Sequence, residues 1–212
     1  MSQSQQSVQQ QRQPATESQG STGQQSESLT APVGTQYPTR SYLPESVRST
    51  SIGVLNQCLA DLSAVHMQLK HAHWNVKGIE FYQLHELFED LVDDFEPHID
   101  AVAERASALG GQPMGTAAAV AQQSSVPRLS HTAADGQSLV DELAYNISVL
   151  DATLYRQIEL ASQQGDLDTA DLLNEVSRDV SKALWFLEAH LQSPQQGTGA
   201  ASAQQGAVGT QQ

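Results

Sequence analysis

The chain has 212 residues and a formal net charge of −14, from 24 acidic against 10 basic side chains. A surface this acidic repels phosphate backbones and attracts cations, which disfavours nucleic acid as a partner. Cys58 is the only cysteine, which excludes an internal disulfide framework and fits a reducing compartment.

From the N-terminus, residues 1–28 contain ten glutamines and only three apolar side chains, Met1, Val8 and Ala15. Such a segment buries too little apolar surface to offset the entropy of ordering it, and residues 1–42 are read as a disordered Gln/Ser-rich tail. Residues 193–212 carry no charge and are mostly Gln, Gly, Ala, Ser and Thr, a second disordered tail. The stretch between them, 43–192, has the size of one domain. No apolar run is long enough for a membrane span, and no apolar leader opens the chain. A soluble cytoplasmic protein is the expectation.

Within 43–192, Ile52, Leu55, Leu59, Leu62, His66, Leu69 and His73 recur at alternating spacings of three and four, one stripe of an amphipathic helix from about Glu45 to Trp74. Asn75 to Gly78 supply turn residues. A second stripe of Phe81, Leu84, Phe88, Leu91, Phe95, Val102, Ala106 and Leu109 stops at Gly110-Gly111. Residues 111–136 then form a long crossover in which TAAAVAQQ suits a short helix. A third helix follows Leu139, Leu143, Ile147, Leu150, Leu154 and Ile158 to Gly165, and a fourth follows Leu172, Val176, Val180, Ala183, Leu187 and Leu191. Asp168 is the expected cap of that last helix, with Asp171 in its first turn. Two short connections and one long one between four helices predict an all-α, ferritin-like four-helix bundle with a short extra helix in its crossover.

The chemistry lies in 71-HAHWNVKGIEFYQLHELFED-90 and the helix that follows. Taking His85 as zero on a wheel of about 100° per residue, Glu89, Asp100 and Glu104 fall at about 40°, 60° and 100°. They share an arc beside the apolar stripe, but Glu86, Asp93 and Glu96 fall there too, as on any solvated acidic face. Spacing narrows the choice: His85 and Asp100 lie about 22 Å apart on a straight helix and cannot hold one metal ion together. Asp100 and Glu104, at i and i+4, can, and His73 can approach His85 across the turn. One chain thus offers two half-sites, which an antiparallel two-fold pairing of second helices would complete twice over. The mixed N and O donors suit iron or zinc. A centre inside each bundle normally draws on Glu-x-x-His pairs, and the chain contains none.

These residues carry a family resemblance. AHWNVKGIEFYQLHELFED, then HIDAVAERASALGG, then SRDVSKALWFLEAHL resemble the Dps proteins, the mini-ferritins named as DNA-binding proteins of starved cells, over roughly residues 45–192. The resemblance implies that His73 and His85 of one subunit bind Fe(II) with Asp100 and Glu104 of its two-fold mate, while Glu89 assists a second, weaker iron. It implies a ferroxidase that uses hydrogen peroxide, or oxygen, and keeps the ferric product in a homododecameric shell; zinc is a possible competitor. Trp74 is similar to the family's aromatic that intercepts stray oxidising equivalents.

Blander readings stand beside these. His66 lies on the apolar stripe and reads as a core histidine; His71 and His98 read as surface residues or accessory ligands. Trp185 and Phe186 are explained by packing. Asp166, Asp168 and Asp171 resemble the acidic lining of the family's three-fold pores, and capping explains Asp168 equally well. Pro97, inside the second helix, predicts a kink. Both tails lack lysine, whereas DNA-condensing members commonly use lysine-rich tails, so DNA binding is expected to be weak or absent. The rival readings are a nucleoid protein in which iron oxidation is secondary, and a helical scaffold without catalysis.

Overall fold

The computed structural model describes residues 34–130 and 132–192. Most of the two expected tails, residues 1–33 and 193–212, lies outside the described residues. Five helices follow in order: α1 (Glu45–Asn75), α2 (Phe81–Ala108), α3 (Ala117–Gln123), α4 (Gly136–Gln164) and α5 (Leu167–Leu191). Among the described residues there is no strand, only an isolated bridge between Lys77 and Asp135. The short links after α1 and α4 fold each helix back on the next. The α1–α2 and α4–α5 hairpins then pack together, α1 against α4 and α2 against α5, while α3 lies on α1.

The stripe expected for α2 is the buried one: Leu84, Phe88, Leu91, Phe95, Val102, Ala106 and Leu109 are all in the core. Phe81, at the helix start, is 44% exposed and serves another purpose, described below. Helix α2 runs through Pro97 from Phe81 to Ala108. The proline has no N–H to give the Asp93 carbonyl four residues earlier.

Helix α1 departs from a single stripe. Every residue from Ser51 to Leu62 is buried, including Asn56, Gln57 and Asp61. The crossover covers the side that an amphipathic helix would leave to water, and these polar side chains hold it there. Asn56 donates to the Gln112 carbonyl and accepts from the Met114 N–H. The Asp61 carboxylate accepts from the Ser125 N–H at 2.6 Å and from the Ser124 and Ser125 hydroxyls at 2.9 Å each. Gln57 completes the set, donating to Asp61 and to the Gln123 carbonyl. A carboxylate this deep needs such a shell, because an unpartnered buried charge is strongly unfavourable. The same burial pushes the neighbouring Cys58 thiol far up, with the charge of Asp61 adding to it.

Helix ends follow local chemistry. Thr116 and Asp135 cap α3 and α4 by accepting from the N–H groups of Ala119 and Ser138. Gly165 ends α4 at φ 82°, in the left-handed region. The cap of α5 is Asp166, not Asp168: its carboxylate accepts from the Thr169 N–H at 3.1 Å, and the helix starts at Leu167, before the expected cap. His66 also differs from expectation. The buried side of α1 passes through Val65, Leu69 and Ala72, leaving His66 half-buried at its edge. No helix among the described residues is long and apolar enough to cross a membrane.

The α1–α2 turn is pinned to the start of α4. Lys77 donates its N–H to the Ala134 carbonyl at 2.7 Å, and Gly136 sits where an added Cβ would lie 2.4 Å from Leu84. At the opposite end of α2, Tyr37 donates to the Gly110 carbonyl at 2.7 Å, drawing residues before α1 across that terminus. Both ends of α2 are therefore anchored, and they are the ends that carry the candidate ligands.

Candidate metal centre

His73 stands in the last turn of α1 and His85 in the second turn of α2, twelve residues apart in sequence. The turn between them uses Gly78 at φ 116°, a conformation that L side chains rarely adopt. It brings the two imidazoles into a stack with ring centroids 3.8 Å apart and an interplanar angle of 20°. Phe81 extends the stack on His85, with centroids 5.2 Å apart. Its partial exposure thus belongs to the site and not to the core.

The main chain fixes how the rings present themselves. His73 Nδ1 lies 2.9 Å from the His85 carbonyl, and His85 Nδ1 lies 2.9 Å from the His73 carbonyl. A carbonyl can only accept, so each Nδ1 carries the proton and donates. In the neutral rings each Nε2 is left with its lone pair, the form in which imidazole binds a metal. Each histidine is oriented by the backbone of the other.

Glu89 lies one turn beyond His85 and joins this end. Its Oε2 is 3.4 Å from His73 Nδ1, and the Lys70 ammonium bonds both carboxylate oxygens, Oε1 at 2.7 Å. The hydrogen bond from Lys70, with the nearby histidines, holds the Glu89 carboxyl below its usual range. Sequence reasoning passed over Lys70. It leaves α1 three residues before His73, but its partner is on another helix, so no i,i+4 spacing flagged the pair. Trp74, directly after His73, is 66% exposed.

Asp100 and Glu104 are exposed toward the other end of α2. The 15 residues between His85 and Asp100 span about 22 Å of helix, so one chain cannot bring them to the imidazoles. Asp100 borders an open hollow of about 750 Å³, lined also by Leu59 and Ser63 of α1 and by Asp93, Glu96 and Pro97. A second hollow, of about 480 Å³, continues along α1 past Met67 and His71 to Val120 of α3 and Leu129. Among the described residues no three His, Cys, Asp or Glu side chains gather into a group able to hold a metal ion.

The remaining candidates have other employment. His98 is buried and pairs through Nε2 with Asp179 of α5 at 2.8 Å, so it is not a surface residue. His71 lies 3.5 Å from the Asn75 amide, with Nδ1 facing it. Core packing accounts for Phe186, which is partly buried, but not for Trp185, which is 61% exposed and meets the Phe186 ring with centroids 5.0 Å apart. Asp166 is fully buried against Arg105, whose Nη2 donates to it at 2.7 Å; only Asp168 and Asp171 of that acidic stretch face solvent.

Comparison with known proteins agrees with this architecture. The ferritin-like domain family matches residues 52–196. The DNA protection during starvation protein of Agrobacterium fabrum is 36% identical over 159 residues, 74% of this chain and 96% of that protein. A namesake from Bacillus anthracis is 34% identical over 66% of this chain and 95% of its own length. Among solved structures, DpsC from Streptomyces coelicolor superposes with a TM-score of 0.71 at 31% identity, over 77% of this chain and 94% of that one. A Dps protein from Vibrio cholerae O1, described as a member of a broad superfamily of ferritin-like diiron-carboxylate proteins, superposes with a TM-score of 0.67 at 29% identity, covering 71% and 94%. The chain belongs to the Dps family of ferritin-like proteins.

Proposed function

We propose that this chain is a ferroxidase and iron store. It oxidises Fe(II), preferably with hydrogen peroxide, at sites shared between two-fold related subunits, and holds the ferric product inside a shell of twelve. The folded unit is 43–192, flanked by the two glutamine-rich tails, and its proposed place is the cytoplasm. The observation that carries this reading is the reciprocal Nδ1-to-carbonyl exchange of His73 and His85, which readies two Nε2 lone pairs at one end of α2 while Asp100 and Glu104 stand at the other. An isologous dimer with antiparallel α2 helices sets each imidazole pair against a partner's carboxylates. The two hollows along α1 are where such a partner would seat, since exposed concave apolar surface marks contact sites.

Ferrous iron is the substrate. His73 and His85 of one subunit, with Asp100 and Glu104 of the other, take the first ion; Glu89 serves the second. Two Fe(II) ions give one electron each to a peroxide, whose O–O bond breaks to yield two waters once two protons are taken up, and two Fe(III) remain. Delivering both electrons at one place avoids the single-electron step that would release hydroxyl radical. Zinc, which accepts the same N and O donors, would compete for the first position, and exposed Trp74 stands beside it to intercept stray oxidant.

The test is direct. Fe(II) and peroxide should react faster with the assembled protein than in buffer, and the ferric product should co-elute with the shell on gel filtration. Reaction at the buffer rate, with free ferric precipitate, would instead leave the helical scaffold reading.

A second reading, direct DNA binding, is favoured by the names of the relatives. The charge of −14 and the absence of lysine from both tails oppose it, because phosphate neutralisation by Lys and Arg supplies most non-specific affinity. Linear DNA should therefore migrate unretarded in a gel-shift assay at about 150 mM salt. Retardation that persists there would reverse the ranking of the two functions.

A further inference from the structure

We propose that residues 29–33 of this chain dock as a strap in its own larger hollow, the one of about 750 Å³ beside Asp100. Leu59 of α1 forms the floor of that hollow, Pro97, Ile99 and Ala103 of α2 one wall, and Pro113 and Gly115 of the crossover the other. Concave apolar surface of this kind is a contact site. The described chain begins at its rim. Leu43 is buried, Tyr37 donates its N–H to the Gly110 carbonyl, and a Cβ added at Gly34 would lie 3.8 Å from both Gln112 Cβ and Met114 Sδ. Residues 34–43 thus run from the start of α1 across the end of α2 onto the crossover. They stop beside Met114, which stands between Pro113 and Gly115 in sequence.

The residues next in line suit the hollow. In Leu29-Thr30-Ala31-Pro32-Val33 three apolar side chains alternate within five residues, against three in the 28 residues before them. Alternation puts Leu29, Ala31 and Val33 on one side of an extended segment, and Pro32 biases Ala31 toward that extended form. Five extended residues reach about 17 Å from Gly34. None of the five is charged, so the acids at the rim do not repel them. The strap takes the crossover side of the hollow, over Leu59, and leaves the α2 rim, where Asp93, Glu96 and Asp100 are exposed, open to a two-fold mate.

Hydrogen exchange on the assembled full-length protein tests this. The amides of residues 29–31 and 33 should exchange roughly tenfold more slowly than those of residues 15–19 in the same tail. Joint Leu29→Asp and Val33→Asp substitution should remove the difference. A Cβ added at Gly115 meets Leu59 at 4.0 Å, so Gly115→Trp fills the hollow from the crossover side and should release the segment as well. Thr30→Cys paired with Ser63→Cys should close a disulfide within one chain, seen as a single-chain band on a non-reducing gel; Cys58 is buried and does not compete. Equal exchange along the whole tail overturns the strap, and so does protection that survives Gly115→Trp. A disulfide-linked pair of chains would assign the hollow to the partner's tail. Protection of the hollow's lining while residues 29–33 exchange freely would assign it to the body of a second copy, and either result overturns the proposal.

Discussion

Alanine at His73 should bring peroxide-driven oxidation of Fe(II) down to the rate in buffer, and alanine at Asp100 should do the same from about 22 Å away along α2. The two losses have one cause if the donors meet only between subunits. Co-expression of the two variants then gives a quantitative check. Random pairing makes half of the dimers mixed. In a mixed dimer one site lacks both donors while the other is intact, so about a quarter of the wild-type activity should return. Stopped-flow absorbance of the ferric product measures it. Full activity in either single variant, or no recovery in the mixture, is incompatible with a shared site. His73→Ala keeps the main-chain carbonyl that accepts from His85 Nδ1 and removes only the ring stacked on His85, so its effect should be that of losing one donor, comparable to His85→Ala.

Replacing Arg105 with methionine should lower stability by roughly 3–5 kcal/mol, because it strands a buried charge without removing it. Asp166 is fully buried at the start of α5. Burial alone would raise its carboxyl, but the Ser51 hydroxyl beside it, the hydrogen bonds from Thr169 and the charge of Arg105 outweigh burial and hold it below the usual aspartate range. A carboxyl lowered on folding contributes stability above its unfolded pKa, about 3.9, and that contribution is lost as pH falls through the folded value. The wild type should therefore lose stability from this group only in strong acid. Without Arg105 the burial penalty loses its main charged counterweight, and the acid-sensitive limb should move to higher pH. Thermal melts at neutral pH should fall by roughly 10 °C, and an Asp166→Asn chain should show a flatter acid limb than the wild type. A melting temperature for Arg105→Met equal to the wild type at both neutral and acid pH would show that the ion pair does not stabilise the bundle.

Much of this was legible in the sequence because helices have fixed metrics. The stripe Leu84, Phe88, Leu91, Phe95 faces inward as its spacing dictates, and the rise per residue alone separates His85 from Asp100. The interior of α1 was not legible in the same way. Nothing in the apolar stripe marks Asn56, Gln57 and Asp61 as interior; the crossover, distant in sequence, supplies the Ser124, Ser125 and Gln112 groups that satisfy them. Asp168 looked like the cap of α5 because the apolar stripe begins after it. The chain turns instead at Gly165, and that placed the cap at Asp166, next to Arg105. His98 and Lys70 were misjudged or missed for a related reason, since each finds its partner, Asp179 or Glu89, on a different helix. Helix periodicity reports which face a residue occupies, and not which side chain from elsewhere comes to meet it.

The crossed Nδ1-to-carbonyl bonds of His73 and His85 have a thermodynamic consequence for capture of the first ion. A free surface histidine must surrender side-chain rotational freedom when it binds, a loss of roughly 0.5–1.5 kcal/mol per side chain. In this chain both rings are stacked and tethered as soon as α1 and α2 close on each other. That ordering is part of folding and does not recur at each turnover, so the imidazole pair should bind the first ion roughly ten- to a hundredfold more tightly than two mobile histidines at the same separation.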